Sequence, residues 1–452
     1  MLLHLLGMTA VFGLCLAGSG NGLVAAGLSI AFMALLTTVS NAKHAMLGEP
    51  LLFSDLALVA GIFRHPRFYF TAISVRARVL LVIGALALLL ALALLFEARL
   101  APHLVGLGLM ILAVAALVLL VRSRSFDEVA RTPNVDADLT SYGLIATLML
   151  YWLRWRGTPD PPVCAALARA EKSGGPPDIV VIVQCESFAD PVELTGSPDH
   201  TLDGLQEARA SAWQWGNLDV SGFGAYTMRT EYGVLFGRGE AALGFRRYDP
   251  FLTAHRETSY ALSARLGAAG YHCLFVHPHD MRFYGRDRLM PAIGFDRLIG
   301  EESFLPTPPG AGRYVDDRTV GASLGELIDN AAEPTLIYAV TMENHGPWET
   351  DRLAGSIGGL DAYLHHLRSS DAMLTALIER LSAARRSALL VFFGDHRPSI
   401  PGVTDPGGPR HTPYVMQRFS AEGQLLTGAN WQADLSPDEL HHAILRCIRE
   451  DR

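Results

Sequence analysis

The feature that most restricts this chain is a set of long apolar runs without internal charge in its first third: residues 2–19, 23–39, 79–96 and 104–121. A bilayer core about 30 Å thick takes about 20 helical residues to cross, and each run approaches that length. The first lacks the basic n-region of a signal peptide and a second run follows at once, so it reads as a retained span. A fifth stretch, 139–153, is shorter and carries Ser, Thr and Tyr; it reads as a short span or an interfacial helix. Lys43, Arg64, Arg67, Arg76 and Arg78 in the loop 41–78, with Arg122 and Arg124 after the fourth run, mark cytoplasmic sides. From a cytoplasmic N-terminus, both sets lie inside and the C-terminal domain lies outside only if the fifth stretch also crosses.

The remainder has ordinary globular composition. The expected organisation is a transmembrane helical domain over 1–156, a Pro/Gly-containing linker over 157–177 and an α/β domain over 178–452. The net charge of −8, with no Lys/Arg-rich block, argues against nucleic acid as a partner. Five scattered cysteines (Cys15, Cys164, Cys185, Cys273 and Cys447) suggest neither a disulfide framework nor a thiolate zinc site.

After residue 177 short apolar runs alternate with helical stretches, the pattern of a mainly parallel sheet. Four of the runs end in chemically useful side chains. Residues 179–183 lead into Glu186 and Ser187, and 273–276 lead into His277, His279 and Asp280. Residues 336–340 lead into Glu343, Asn344 and His345, and 388–393 lead into Gly394, Asp395 and His396. In open α/β sheets the carboxyl ends of the strands form the binding edge, so one edge would collect carboxylates and imidazoles. Any one of these acids could be a turn residue; four strands ending alike point to a site. Carboxylate and imidazole without thiolate suit Mn²⁺, Zn²⁺ or Mg²⁺.

The ordered set Glu186-Ser187-Phe188, Thr227 to Tyr232, His277 to Tyr284 with Arg286-Asp287, Asn344 to Trp348 and Phe393 to His396 resembles the lipoteichoic acid synthase and phosphoglycerol transferase family. That family lies within the alkaline-phosphatase/sulfatase superfamily. In the membrane part, Asn41-Ala42-Lys43, Gly48 to Leu51 and Ser54-Asp55-Leu56 look like the family's loop before its later spans. The resemblance implies that Glu186, Asp395 and His396 ligate one divalent ion, usually Mn²⁺, and that Thr227 is both the fourth ligand and the nucleophile. Metal coordination would remedy the poor nucleophilicity of a threonine. Thr230 is the competitor nearest in sequence, and Thr227 is preferred because Glu231 then falls four residues on, as in the family. His345 would be a substrate-side general acid. Arg286 would grip a phosphate in a two-pronged contact, with Tyr284 as the aromatic beside it. The Cys/Ser-x-Pro-x-Arg segment from which sulfatases build formylglycine is not found.

The resulting expectation is a multi-pass enzyme of the bacterial inner membrane, its catalytic domain facing the periplasm or exterior. It would take glycerol phosphate from phosphatidylglycerol through a covalent threonine intermediate and pass it to an envelope glycan or polymer. A phosphoethanolamine transferase or a lipid phosphodiesterase is the alternative within the superfamily. A non-enzymatic membrane scaffold is the alternative outside it.

Overall fold

The computed structural model describes residues 2–56, 75–123, 126, 128–165, 176–308, 310, 312–348 and 352–449. It divides into two compact units, residues 1–158 and 159–452, so the break falls two residues beyond the expected end of the membrane domain. Arg64, Arg67 and Arg124, used above to orient the chain, lie outside the described residues, as does 166–175 of the expected linker.

In the first unit, Leu2–Ser19, Gly22–Leu47 and Leu100–Val121 are, among the described residues, helices long and apolar enough to cross a membrane. The expected span 79–96 falls in the helix Val75–Leu95, which is apolar over Val82–Leu95. Large side chains such as Leu23, Leu112 and Leu119 point outward, as lipid-facing residues do. Two of the helices meet through glycines. A Cβ on Gly106 would lie 2.3 Å from the Ala17 nitrogen, and one on Gly13 2.6 Å from the Met110 nitrogen. Apolar helices gain nothing by hiding from lipid tails, so small residues that let backbones touch hold them together.

The fifth stretch differs from the single helix expected. It is two helices, Val135–Tyr142 and Leu144–Gly157, broken at Gly143, whose φ of 79° and ψ of 165° no helix accommodates. The second has 14 residues, a rise of about 21 Å. Leu144, Ile145, Ala146, Leu148, Leu150 and Tyr151 on it are buried.

In the second unit eight strands among the described residues form one sheet in the order β4-β3-β5-β1-β6-β7-β2-β8. They are β1 Ile179–Cys185, β2 Gln214–Leu218, β3 His272–Val276, β4 Arg297–Ile299, β5 Thr335–Val340, β6 Ala388–Gly394, β7 Thr412–Phe419 and β8 Trp431–Gln432. Only β7 runs against its neighbours, β6 and β2. The four strands expected to carry the site are β1, β3, β5 and β6, and they are contiguous in the order β3-β5-β1-β6. They are parallel and in step: Val276 lies opposite Ala339, Gln184 opposite Val340, and Cys185 opposite Gly394. β1, β5 and β6 are buried along their whole length, which explains their continuous apolar runs.

One face of the sheet is covered by the helices Asp203–Ser211, Asp317–Asp329 and Gly359–Ala383. Leu205, Val320, Leu324, Leu374 and Leu377 on them share a core with Val181, Val183, Ile337 and Leu390. The helix Thr227–Phe236 packs instead on the C-terminal helix Pro437–Arg449. Gly233 makes this close: a Cβ there would lie 2.4 Å from the Pro437 Cβ. The level strand ends leave one polar edge, where the residues after β1, β5 and β6 meet.

Candidate active site

Glu186, Asp395 and His396 are all buried, and each offers a ligand atom within 4.8 Å of the others. Glu186 follows β1, and Asp395 and His396 follow β6, so adjacent parallel strands bring them together. Gly394 makes this possible in a way the sequence did not disclose. A Cβ at that position would lie 1.9 Å from the carbonyl oxygen of Phe188, so only glycine lets β6 pass beneath that turn.

The hydrogen bonds aim these side chains. Asp395 Oδ1 accepts from the Ser187 and His396 amides at 2.8 and 2.9 Å, while its buried Oδ2 has no hydrogen-bond partner. His396 Nδ1 lies 3.1 Å from the Arg397 carbonyl oxygen, which fixes it as the donor and leaves Nε2 for the cluster. That Nε2 is 3.3 Å from Glu186 Oε1 and 3.5 Å from Asp395 Oδ2. Burial, and then the neighbouring Glu186, push the Asp395 carboxyl up to about 6. Burial works against a charged His396, yet the Asp395 and Glu186 carboxylates raise it above the ordinary histidine range. Two buried acids converging on one imidazole, with Asp395 Oδ2 making no hydrogen bond, form a donor set that a divalent cation fits.

Thr227 opens the helix Thr227–Phe236, and its hydroxyl lies 3.5 Å from Glu186 Oε2. Tyr226 before it stands in the left-handed region at φ 75°, which turns the approaching chain sharply into the helix. Gly222 earlier in that approach rests on the cluster: a Cβ there would meet the His396 Cβ at 3.3 Å. Thr230, the competitor one turn on, donates its hydroxyl to the Asp395 carbonyl oxygen at 2.7 Å. Its oxygen is thus committed to holding the strand end that carries Asp395.

Arg286 differs from the expectation. Its guanidinium is buried, with Nε and Nη2 forked on the Glu231 carboxylate and Nη1 3.3 Å from His277 Nε2. The two-pronged contact expected for a phosphate is made to Glu231, because a fully buried cation needs a buried anion. Burial opposes the charge of Arg286, and Glu231 holds it. His277 is pushed well below the usual histidine range by burial and then by Arg286, and its Nδ1 faces the Val340 carbonyl oxygen. Tyr284, also in the left-handed region at φ 56°, lies with its ring 5.2 Å from the Arg286 guanidinium carbon.

His345, on the loop after β5, is half-buried with Nδ1 2.8 Å from the Gly346 carbonyl oxygen and 3.5 Å from the Tyr314 hydroxyl. Burial pushes its imidazole down to about 4, so it is neutral at pH 7 and Nε2 is its basic nitrogen. A general-acid role therefore requires a bound phosphate to raise it. His411, to which no task was assigned, lies 2.8 Å from both Glu193 and Arg397.

Sequence reasoning missed the layer beneath the site. Asp317 Oδ2 accepts from Ser370 Oγ at 2.6 Å and Thr341 Oγ1 at 3.3 Å. Thr341 in turn accepts the Glu186 amide at 3.2 Å, and Ser370 accepts Asn344 Nδ2 at 2.7 Å. One buried acid thus ties the Glu186 turn to the His345 loop. Burial, reinforced by Glu343, pushes Asp317 well above the usual carboxylate range. The only local signal was an Asp-Asp pair opening a helix, which reads as an ordinary cap.

A cluster of carboxylates and imidazole at the strand ends of a mainly parallel sheet, with a helix-borne threonine beside it, agrees with the alkaline-phosphatase/sulfatase superfamily. The Sulfatase family model matches residues 178–448, and the chain belongs to that family. The capsular polysaccharide biosynthesis protein RkpI of Rhizobium meliloti (strain 1021) is 29% identical over 438 residues, 90% of this chain and 79% of that protein. Among solved structures, the integral membrane lipooligosaccharide phosphoethanolamine transferase A (EptA) of Neisseria meningitidis aligns over 98% of this chain and 84% of its own, with 14% identity and a TM-score of 0.57. The Streptococcus pyogenes phosphoglycerol transferase GacH in complex with sn-glycerol-1-phosphate aligns over 62% of this chain and 76% of its own, with 18% identity and a TM-score of 0.49. The superfamily is metal-dependent, and the cluster described above fits that dependence.

Proposed function

We propose that this protein is a membrane-anchored phosphoglycerol transferase, with Thr227 as the nucleophile that carries the group between donor and acceptor. The observation that carries the reading is the Thr227 hydroxyl, buried at a helix start 3.5 Å from Glu186 and beside the Asp395 carboxylate. Thr227 Oγ1 attacks the phosphorus of phosphatidylglycerol, and the bond to the diacylglycerol oxygen breaks. Glycerol phosphate stays on Thr227, and diacylglycerol leaves with a proton. A hydroxyl of an envelope glycan or polymer then attacks the same phosphorus, loses its proton, and returns Thr227 to its starting form. The helix start favours the negative charge that Thr227 carries between the two steps. A divalent cation held by Glu186, Thr227, Asp395 and His396 (Mn²⁺, with Zn²⁺ and Mg²⁺ as alternatives) would offset phosphoryl charge and ease removal of the threonine proton.

His345 is the group assigned to moving the proton. Its basic Nε2 receives it from the attacking hydroxyl, and donor phosphate raises the imidazole enough to return it to the leaving oxygen. Arg286, its guanidinium taken up by Glu231 and His277, is assigned a positioning role, holding the Tyr284 ring, 5.2 Å from its guanidinium carbon, towards the substrate. The glycan acceptor is supported by the relative named for capsular polysaccharide biosynthesis. The catalytic domain is assigned to the outer side of the bacterial inner membrane, where donor lipid and envelope acceptor meet.

A phosphoethanolamine transferase is the second reading, favoured by the near-complete overlap with EptA. Full-length protein incubated with Mn²⁺ and head-group-labelled phosphatidylglycerol or phosphatidylethanolamine separates the two. Diacylglycerol release from phosphatidylglycerol and a glycerol phosphate adduct on the Thr227 peptide are expected. Turnover of phosphatidylethanolamine alone would overturn the donor, and an adduct on Thr230 the nucleophile. A reporter fused after Arg452 should be active only outside the cytoplasm.

A further inference from the structure

The loop after β5 is held at its root by two of its own side chains. The Glu343 carboxylate accepts from the Asp317 amide at 2.5 Å and pairs with His366 Nδ1 at 2.7 Å, while Asn344 Nδ2 donates to Ser370 Oγ at 2.7 Å. His345 comes next, where the loop leaves the buried layer: Asn344 is buried and His345 half-buried. A group that moves a proton to one oxygen has to be fixed in place, because a misplacement of about 1 Å can cost about 100-fold in rate.

What holds the loop at this point comes from seven residues further along the chain. Arg352 Nη2 donates to the carbonyl oxygens of Glu343 and His345, at 3.1 Å each. The guanidinium carbon lies 5.2 Å from the Tyr314 ring centre and 5.5 Å from that of Trp348. The Tyr314 hydroxyl is in turn 3.5 Å from His345 Nδ1. Trp348 packs edge-on against Tyr363, whose hydroxyl donates to the Ser187 carbonyl oxygen at 2.9 Å, one residue from Glu186. Arg352 thus ties the backbone of His345 to the turn that carries a candidate metal ligand.

Stability alone does not account for this arginine. It is 3% exposed, makes no ion pair among the described residues, and its Nε and Nη1 have no hydrogen-bond partner. A buried cation without an anion is destabilising, and an apolar side chain of similar length would fill the same space without that penalty. Arg286 differs, since Glu231 neutralises it. We infer that Arg352 is a positioning residue for His345, holding the imidazole where Nε2 reaches the oxygen that leaves phosphorus. The inference rests on the transferase reading above, with His345 as the carrier of the proton.

The leaving group provides the test. As the bond from phosphorus to the diacylglycerol oxygen breaks, that oxygen takes the proton from His345 Nε2. In glycerol 4-nitrophenyl phosphate the bond to the phenolic oxygen breaks instead, and 4-nitrophenolate departs without a proton. Full-length protein with Mn²⁺ is given either donor, and release is read in the first turnover, before any acceptor takes part. Arg352→Met should lower the rate on phosphatidylglycerol about 100-fold and on the nitrophenyl donor less than about threefold, within the range general acid catalysis spans, with donor KM little changed. His345→Ala should show the same contrast, and Arg352→Lys, which keeps a donor for the carbonyls, should recover part of the loss. Should Arg352→Met fail to fold, Arg352→Lys carries the comparison at smaller amplitude. Equal losses on the two donors would mean that Arg352 only supports the fold, and an unchanged rate on phosphatidylglycerol that it does not act on His345; either overturns the inference. Wild type that turns over phosphatidylglycerol and forms the Thr227 adduct, with no such contrast in the variants, sinks the positioning role alone. Wild type that does neither sinks the transferase reading, and the inference with it.

Discussion

Two buried charge constellations lie beside each other in the catalytic unit, and they differ in completeness. In the first, Arg286 is forked on Glu231 with His277 closing its flank, so cation and anion neutralise each other. In the second, Glu186 and Asp395 converge on His396, and Asp395 Oδ2 is left without a hydrogen-bond partner. Both consist of buried acids and bases with a histidine that follows a strand, and composition alone would not separate them. A satisfied network holds structure, whereas an unsatisfied one requires something from outside the chain.

The hardest test of that distinction removes the group that works on the unsatisfied side. Thr227→Ala should cost about 10⁴-fold or more in transfer, as loss of a nucleophile does, while the thermal midpoint and ion binding are largely kept. Thr230→Ala should instead lower stability and ion affinity with residual turnover, because its hydroxyl holds the Asp395 strand end. If Thr230→Ala alone is inactive, the assignment of roles to the two threonines is reversed.

Breaking the satisfied network should read out as stability. Glu231→Ala leaves Arg286 buried without its anion, and a loss of about 3–5 kcal/mol is expected by denaturant titration. A loss well under 1 kcal/mol would mean that Arg286 is free to serve a ligand and that the comparison fails.

Chelation should act on the second network only. If an ion present at a hundred times its dissociation constant contributes about 2.7 kcal/mol, stripping it should lower the thermal midpoint of wild type and leave Asp395→Ala unmoved. An equal shift in both would place the stabilising ion elsewhere.

The smallest effect is on pH. Asp395 is raised to about 6 in the fold by burial and by Glu186. A carboxyl so raised favours the fold below its unfolded value near 4, and that contribution is lost as pH climbs through about 6. In chelator, Asp395→Asn should therefore gain stability over wild type at pH 7, by a margin that shrinks towards pH 4–5. A margin that does not change between these pH values would show that Asp395 is not strained when metal-free.

Much of the fold was legible because β1, β3, β5 and β6 advertise themselves as apolar runs that stop at acids and histidines. Their order in the sheet was not legible, and neither were β2, β7 and β8, which carry less distinctive patterns. Glu186, Asp395 and His396 came together as expected, since equal strand ends are a local property of parallel pairing. The partner of Arg286 did not announce itself, because 55 residues separate it from Glu231 and only the packed fold joins them. Asp317 was invisible for the same reason. Gly143 stood within the fifth apolar stretch, yet nothing local told whether it would be tolerated in a helix or would break one.

Gly394 bears on how tolerance to substitution should be interpreted. With the Phe188 carbonyl oxygen 1.9 Å from where a Cβ would stand, every side chain is excluded there for want of space. A saturation library scored by activity would rank it beside Asp395 and His396, and a reader of that ranking would count three chemical residues where two exist. Purified Gly394→Ala tells them apart: it should arrive misfolded, where Asp395→Ala arrives folded and empty of its ion.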